Sequence, residues 1–415
     1  MRLTERERAM LAGELGPVRQ WAICHQITVG KFFDAADLVP VGQAHVMADT
    51  ESLGEAGVAW LEGLAAAPHS QRRMRIPTIT DPRGLDFASY QRLKQTEAMF
   101  AIEARAIAAI EALDVLMTNT CINYQTILPP VRGEHLALGD TGVVIYCNSV
   151  MGARSNFEGG PSALAAGLTG CTPRYGYHLD EHRAGTMHFA VQHQPNDFAD
   201  WGALGGIVGR AANSYWQVPV VTGLKDVPNS NQLKHFGAAL ASFGSVAMFH
   251  IPGVTPEAPI IADAFQGRTA PPAIPIGKED FAAFYAGYAA AGEKVDVVVF
   301  AAPQLSLIEM QELAGLLDGR QVHSATSLIV ATSPEIKFAA DRMGLTGRIE
   351  STGAIVAAGV CFYQMYAREM AEANGWQCLL TNSAKLVNII GGYGYKPTLA
   401  SMQRCVDSAV AGKVL

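Results

Sequence analysis

The sequence is short of charge and has no long apolar run. Asp, Glu, Lys and Arg make up only 17% of its 415 residues. No stretch approaches the roughly 18 uninterrupted apolar residues of a membrane span, so a spanning helix is excluded. There is no basic cluster either. With 31 Lys and Arg against 38 Asp and Glu the net charge is −7, and nucleic acid is not an expected partner. The opening "MRLTERERAM" is charged and has no apolar centre, so it does not read as a signal peptide. Seven scattered cysteines, an odd number in a large chain, make no disulfide framework, and a reduced cytoplasmic setting is expected. Zinc signatures built on paired cysteines or on His-Glu-x-x-His are missing, as is a Gly-x-Ser-x-Gly elbow. No internal repeat or low-complexity tail is found.

What is present is a large apolar fraction, 49% of residues. The length exceeds the roughly 250–300 residues at which one core stops growing, so two or three packed units are expected. So little charge on so large a body suggests that another subunit covers part of the apolar surface. Amphipathic helices are expected over 4–14, 52–67 and 90–113. Between the helical segments lie short apolar runs that read as strands: "MRIPTIT" (74–80), "DVLMTNTC", "TGVVIYCNS" (141–149), "VPVVTGL" (218–224) and "SVAMFHI" (245–251). The series continues with "VDVVVFA" (295–301), "SLIVATS" (327–333) and "QCLLTNS" (377–383). Strands alternating with helices make this an α/β chain of parallel-rich sheets covered by helices. A catalytic region of two subdomains is expected over 1–285 and a third α/β subdomain over 286–375. The segment 376–415 is expected to return to the first region.

In open α/β sheets ligands bind beyond the carboxyl ends of the strands. Cys121 lies at such an end, in "VLMTNTCINYQ". A thiol in a polar elbow can bind a metal or react, whereas a structural thiol packs among apolar neighbours; both readings stay open. The elbow "NSVMGARSNFEGGPSAL" (148–164) is the most polar. Gly159, Gly160 and Ser162 lead into a helix whose free N–H groups could hold an anion. Arg154 could grip a carboxylate, and Glu158 could act as acid or base if buried. An ordinary turn would look the same. In "TNSAK", Ser383 and Lys385 stand at a strand-to-helix turn, where a desolvated lysine could serve as a base or carboxylate ligand. In "RGEHLALGD", Glu134 and His135 point to opposite sides of an extended segment, so one of them faces any site. His178, His182 and His188 have no ligand spacing and read as structural or substrate-side residues.

Together these elbows resemble the aconitase X family. The resemblance rests on residues 133–183, on "FGAALASFGSVAMFHIPGVTPEAP" (236–259), on "LSLIEMQELAGLL" (305–317) and on "LLTNSAK" (379–385), with smaller echoes at 38–46 and 54–62. It implies aconitase-like α/β domains around an iron–sulfur cluster and a hydro-lyase acting on a small hydroxy acid. Family substrates are cis-3-hydroxy-L-proline in bacterial members and mevalonate 5-phosphate in archaeal ones. It also implies a small swivelling domain, fused or separate. No segment here is left over for one, so the chain resembles a large subunit that works with a small swivel-domain partner.

The family's cluster cysteines occupy three elbows. The form Thr-Cys-Thr-Pro-Tyr corresponds here to Thr120-Cys121-Ile122-Asn123-Tyr124, with the cysteine kept. The form Gly-Cys-Pro-His corresponds to Ala301-Ala302-Pro303-Gln304, with cysteine and histidine both gone. The form Asp-Thr-Cys corresponds to Gly359-Val360-Cys361. Cys121 and Cys361 are thus the expected metal ligands, with Cys147 as a possible third. A smaller centre such as a [2Fe-2S] cluster, or a single iron, is the expected cofactor. On this reading Lys385, Ser383 and Glu158 are catalytic, and Lys385 binds the carboxylate or relays the proton. Arg154, Asn148, Ser149, Asn156, Gly159, Gly160, Ser162, Glu134 and His135 line the substrate. The expected activity is dehydration of a β-hydroxy acid such as cis-3-hydroxy-L-proline. A phosphorylated substrate of the mevalonate 5-phosphate kind is the alternative, as is a non-catalytic binding or regulatory subunit.

Overall fold

A computed structural model describes residues 1–289 and 294–415. Each of its three units is built on its own parallel sheet. In the first, strand β1 (Leu38–Pro40) pairs antiparallel with β5 (Cys171–Pro173), beside a parallel sheet of β2 (Ala44–Val46), β3 (Thr78–Thr80) and β4 (Ala137–Leu138) in the order β3-β2-β4. β2, β3 and β4 are buried along their whole length, as expected of parallel strands covered on both faces. Helix Thr50–Ala65 packs on Glu97–Ala112, and Pro17–Phe32 packs on Pro161–Thr169.

The second unit holds β6 (Met187–Val191), β7 (Pro219–Thr222) and β8 (Ile274–Ile276) in the order β7-β6-β8. Its helices Phe198–Ala212 and Ser230–Gly244 pack closely along each other. Gly205 permits this, because a Cβ there would lie 2.2 Å from the Phe236 carbonyl oxygen. The third unit is a five-stranded parallel sheet of β9 (Val297–Leu305), β10 (Ser327–Thr332), β11 (Ile355–Ala358), β12 (Cys378–Thr381) and β13 (Lys396–Leu399), in the order β11-β10-β9-β12-β13. All nine residues of β9 are buried.

The structure departs from the sequence reading in several places. Residues 141–149 form helix Thr141–Tyr146 and a π turn, Cys147–Met151, instead of a strand. The Asp140 side chain caps that helix by accepting the Val143 N–H at 2.9 Å. A short helix buried on all sides carries the same continuous apolar run as a buried strand. Residues 245–251 add only the single bridge Val220–His250. The long helix expected over 90–113 starts at Glu97, capped by Thr96. The segment 376–415, expected to return to the first region, keeps β12 and β13 in the third sheet. Only its helix Ala384–Ile390 turns back, packing on Ser230–Gly244 and Phe198–Ala212 of the second unit. Among the described residues no helix is long and apolar enough to cross a membrane.

Candidate active site

The carboxyl ends of the first and third sheets meet. After β3 comes Asp81, and after β4 comes Asp140. After β11 comes Cys361, and after β12 come Ser383 and Lys385. The loop carrying Cys121 runs beside β3, its Thr120 N–H donating to the Thr80 carbonyl at 3.0 Å. Cys121 and Cys361, 240 residues apart in sequence, are neighbours at this junction, and the Cys361 thiol together with burial pushes the Cys121 thiol well above its ordinary range. Gly359 lets the second elbow close. It has φ +71°, and a Cβ there would lie 3.0 Å from that of Asn119.

Lys385 reaches across the junction to Asp140, with Nζ 3.2 Å from Oδ2. Both side chains are buried. Burial alone would lower the lysine pKa, but Asp140, the two thiols and Asp81 outweigh it and hold it above the usual value. Asp140 is the mirror case. Burial pushes it up, yet Lys385, the capping N–H of Val143 and His45 bring it below the ordinary carboxylate range. Asp81 goes the other way. Burial and the neighbouring Asp140 charge raise it well above that range, despite the Gln364 amide donating to Oδ2 at 2.9 Å. The pKa values of two neighbouring carboxyls are thus driven in opposite directions. Beside Asp81, the His45 Nε2 donates to the Thr120 carbonyl at 2.8 Å, and burial lowers its pKa. The half-buried Tyr363 lies over the lysine, its ring centre 5.5 Å from Nζ.

The Ala302 elbow closes the far side. The Ser383 hydroxyl donates to the Ala302 carbonyl at 2.5 Å and accepts the Leu386 N–H at 3.1 Å, so it serves as a helix cap. Gln304 sits where the Cys121, Val360 and Thr332 elbows converge. Its Oε1 accepts the Cys121 N–H at 3.2 Å, and its Nε2 lies 3.1 Å from the Asn119 and Val360 carbonyls and 3.2 Å from that of Thr332.

Cys121, Cys361, Ser383 and Lys385 are therefore brought together, while the other expected site residues go elsewhere. Cys147 is fully buried in the apolar cluster that also contains Cys121, and burial, with the Glu134 charge, raises the pKa of its thiol. Asn148, Ser149 and Asn156, expected to line a substrate, are buried and committed to the protein. The Asn148 amide holds Ser155 and Ala247, Ser149 Oγ accepts the Phe249 N–H, and Asn156 binds Tyr175, Tyr177 and Tyr215. Arg154 turns to the His178 carbonyl and to Asp180. Ser162 turns toward His25, 2.8 Å away, while Gly160 packs on the Met47 carbonyl and Gly159 supplies a φ of +61°. Arg154 and the glycine turn thus do not converge on one anion. Glu158 is buried beside Thr172, whose hydroxyl donates to it at 2.7 Å, and burial pushes its pKa up to about 7. It is not among the groups that perturb Lys385 or Asp81. Glu134 accepts the Val131 N–H, and His135 pairs with His178.

Asp81, Asp140, His45, Tyr363 and Gln304 were not singled out from the sequence. The signal for the two aspartates was there, because each lies just beyond a strand end, where ligands bind. "Asp-Pro" read as a turn, and Asp140 stood before a run, 141–149, that read as a strand but folds as a helix capped by Asp140.

The chain as a whole is similar to known proteins. Family models described as aconitase X first, second and third domains match residues 1–181, 185–286 and 295–411. The phosphomevalonate dehydratase large subunit of Methanothermobacter thermautotrophicus is 33% identical over 391 residues, covering 94% of each chain. Cis-3-hydroxy-L-proline dehydratase of Pseudomonas aeruginosa is 30% identical over 416 residues, covering 99% of this chain and 70% of that one. The crystal structure of Thermococcus kodakaraensis aconitase X in its holo form superposes with a TM-score of 0.87 at 28% identity, covering 99% of this chain and 100% of that one.

Proposed function

The chain belongs to the aconitase X family, and we propose on that footing that it is the large subunit of a hydro-lyase. Its substrate would be a small unphosphorylated β-hydroxy acid such as cis-3-hydroxy-L-proline. The observation that carries the substrate class is the charge around Lys385. Its neighbours Asp140, Asp81 and the two thiols all raise the lysine pKa, and the lysine is already paired with Asp140. A phosphate normally needs several cations in one cleft. An amino acid carries an ammonium of its own and suits a pocket rich in carboxyl groups. The reading with mevalonate 5-phosphate is supported by the names of relatives such as the Methanothermobacter large subunit.

Elimination removes a proton α to the carboxylate and expels the β-hydroxyl, which leaves poorly unless protonated or held by a Lewis acid. The two aspartates suit the proton transfers. Asp140 is the ionised partner that fixes the lysine. Asp81, whose pKa is raised by burial and by the Asp140 charge, would supply a proton to the departing hydroxyl. Lys385 would grip the substrate carboxylate and favour charge developing there as the α-proton leaves.

Kinship with aconitases makes an iron–sulfur centre plausible, and such a group would supply a Lewis acid. The residues present do not fit a cubane carried by three cysteines. Two thiols meet, the third elbow ends in Ala302, and among the described residues no three His, Cys, Asp or Glu side chains are grouped to hold a metal ion. Any smaller centre would take Cys121 and Cys361 and draw its remaining ligands from outside this set. A small subunit completing the site, as the large-subunit name of relatives implies, and a cytoplasmic setting belong to the same reading.

The test is turnover by the chain co-expressed with its small subunit and offered both acids. Dehydration of cis-3-hydroxy-L-proline with no turnover of mevalonate 5-phosphate is expected. The reverse preference would overturn the substrate assignment.

A further inference from the structure

Where three cysteines hold one metal centre, the metal itself ties three elbows together. Here Ala302 stands in the third elbow, yet the Cys121 and Cys361 elbows are still tied together, by the side chain of Gln304. The Gln304 side chain occupies the point where their elbows converge. It is fully buried, and its amide bonds the backbone of Cys121 itself, of Asn119 two residues earlier, and of Val360 immediately before Cys361. Its own backbone is held from the second unit, because the buried Lys234 donates to the Gln304 carbonyl at 2.9 Å. Lys234 is in turn paired with Glu309, which His235 holds at 2.6 Å and the Ser306 N–H at 2.8 Å. A chain of buried, hydrogen-bonded groups thus runs from helix Ser230–Gly244 through Gln304 to both thiol elbows.

We infer that Gln304 is the positioning residue of the thiol pair, holding Cys121 and Cys361 at chelating distance before any ligand arrives. Two thiols fixed side by side bind a soft cation as a chelate, whereas two thiols on independent elbows bind it one bond at a time. The inference stands on the hydrogen bonds and is independent of which acid is dehydrated.

Cadmium ion is a suitable probe, because each cadmium–thiolate bond adds ultraviolet charge-transfer absorbance that can be counted. The full chain, freed of metal and titrated with cadmium, is expected to form two such bonds per ion, and Cys121→Ser only one. Gln304→Asn keeps the amide but is one carbon too short to reach both elbows, and should weaken cadmium binding by at least about tenfold. If that variant does not fold, Gln304→Met keeps the length and volume without the hydrogen bonds, and the same loss is expected. Alkylation of the thiols by iodoacetamide should stay near the wild-type rate in the folded variant. Faster alkylation matching the loss of chelation would reduce Gln304 to general support of the fold and overturn the inference. Unchanged cadmium affinity in the variant, or a single cadmium–sulfur bond in the wild type, would overturn it as well.

Discussion

Lys385 Nζ and Asp140 Oδ2 lie 3.2 Å apart across the junction of the third and first units, with both side chains buried. Removing one member of a buried pair leaves an uncompensated charge, which costs about 3–5 kcal/mol. Lys385→Met should therefore lower the melting temperature as well as turnover, the latter by on the order of 10²-fold or more. The double variant Lys385→Met with Asp140→Asn removes both charges and should recover much of the stability without recovering activity. Thermal melts and kcat on the same preparations check this. Recovery of activity in the double variant would mean that the lysine matters only for folding.

Glu158 has a carboxyl that burial holds at about 7 against an ordinary 4.5. The folded state therefore binds this proton more tightly than the unfolded chain does. The resulting stability is complete below the unfolded pKa and is lost as pH rises through about 7, for a total of about 3 kcal/mol. Glu158→Gln keeps an acceptor for the Thr172 hydroxyl and cannot ionise. Its stability relative to wild type should rise between pH 5 and 8, as read by denaturant unfolding at a series of pH values. The half-buried Glu51, also pushed up to about 7, leaves a residual slope in both proteins. Parallel pH profiles would show that Glu158 is solvated.

How far the site could be read from the sequence depended on which property marks each residue. Cys121 and Lys385 lie at turns beside apolar runs, and alternation along the chain reveals such turns, whereas Cys361 emerged only from the family resemblance. Asp81 and Asp140 lie just beyond strand ends, but their one-dimensional context explains them as a turn residue before Pro82 and as a polar residue before an apolar run. Only the meeting of two sheets directs them at Lys385. Asn148, Ser149 and Asn156 show the opposite failure. A cluster of small polar residues in an elbow looks like a ligand site, yet buried backbone groups need partners, and here those partners are protein. The helix at 141–146 was read as a strand because burial on every side erases helical periodicity.

Asn156 gives a direct test of that last distinction. Its side chain donates to the Tyr175 carbonyl at 3.1 Å and accepts the Tyr177 N–H at 3.1 Å and the Tyr215 hydroxyl at 2.7 Å. Asn156→Ala leaves these buried groups unpaired and should cost roughly 1–3 kcal/mol or more of stability. With the fold retained at low temperature, KM should change less than about twofold, the signature of a residue that does not touch substrate. A large rise in KM at unchanged stability would return Asn156 to the substrate wall.

The thiol pair decides the cofactor. If Cys121 and Cys361 together hold iron, anaerobic reconstitution should load the wild type, and Cys121→Ser and Cys361→Ser should each lose most of that iron, because one thiolate cannot chelate. The two variants should fail alike, since neither thiol has a substitute at Ala302. Cys147→Ser should load like wild type, because burial in the apolar core raises the pKa of its thiol and disfavours the thiolate that a metal needs. Iron analysis per chain and the visible spectrum are the measurements. Equal loading of wild type and Cys121→Ser would make Cys121 a packing residue. Loss of iron in Cys147→Ser would bring that cysteine back into the site and require the π turn at 147–151 to open.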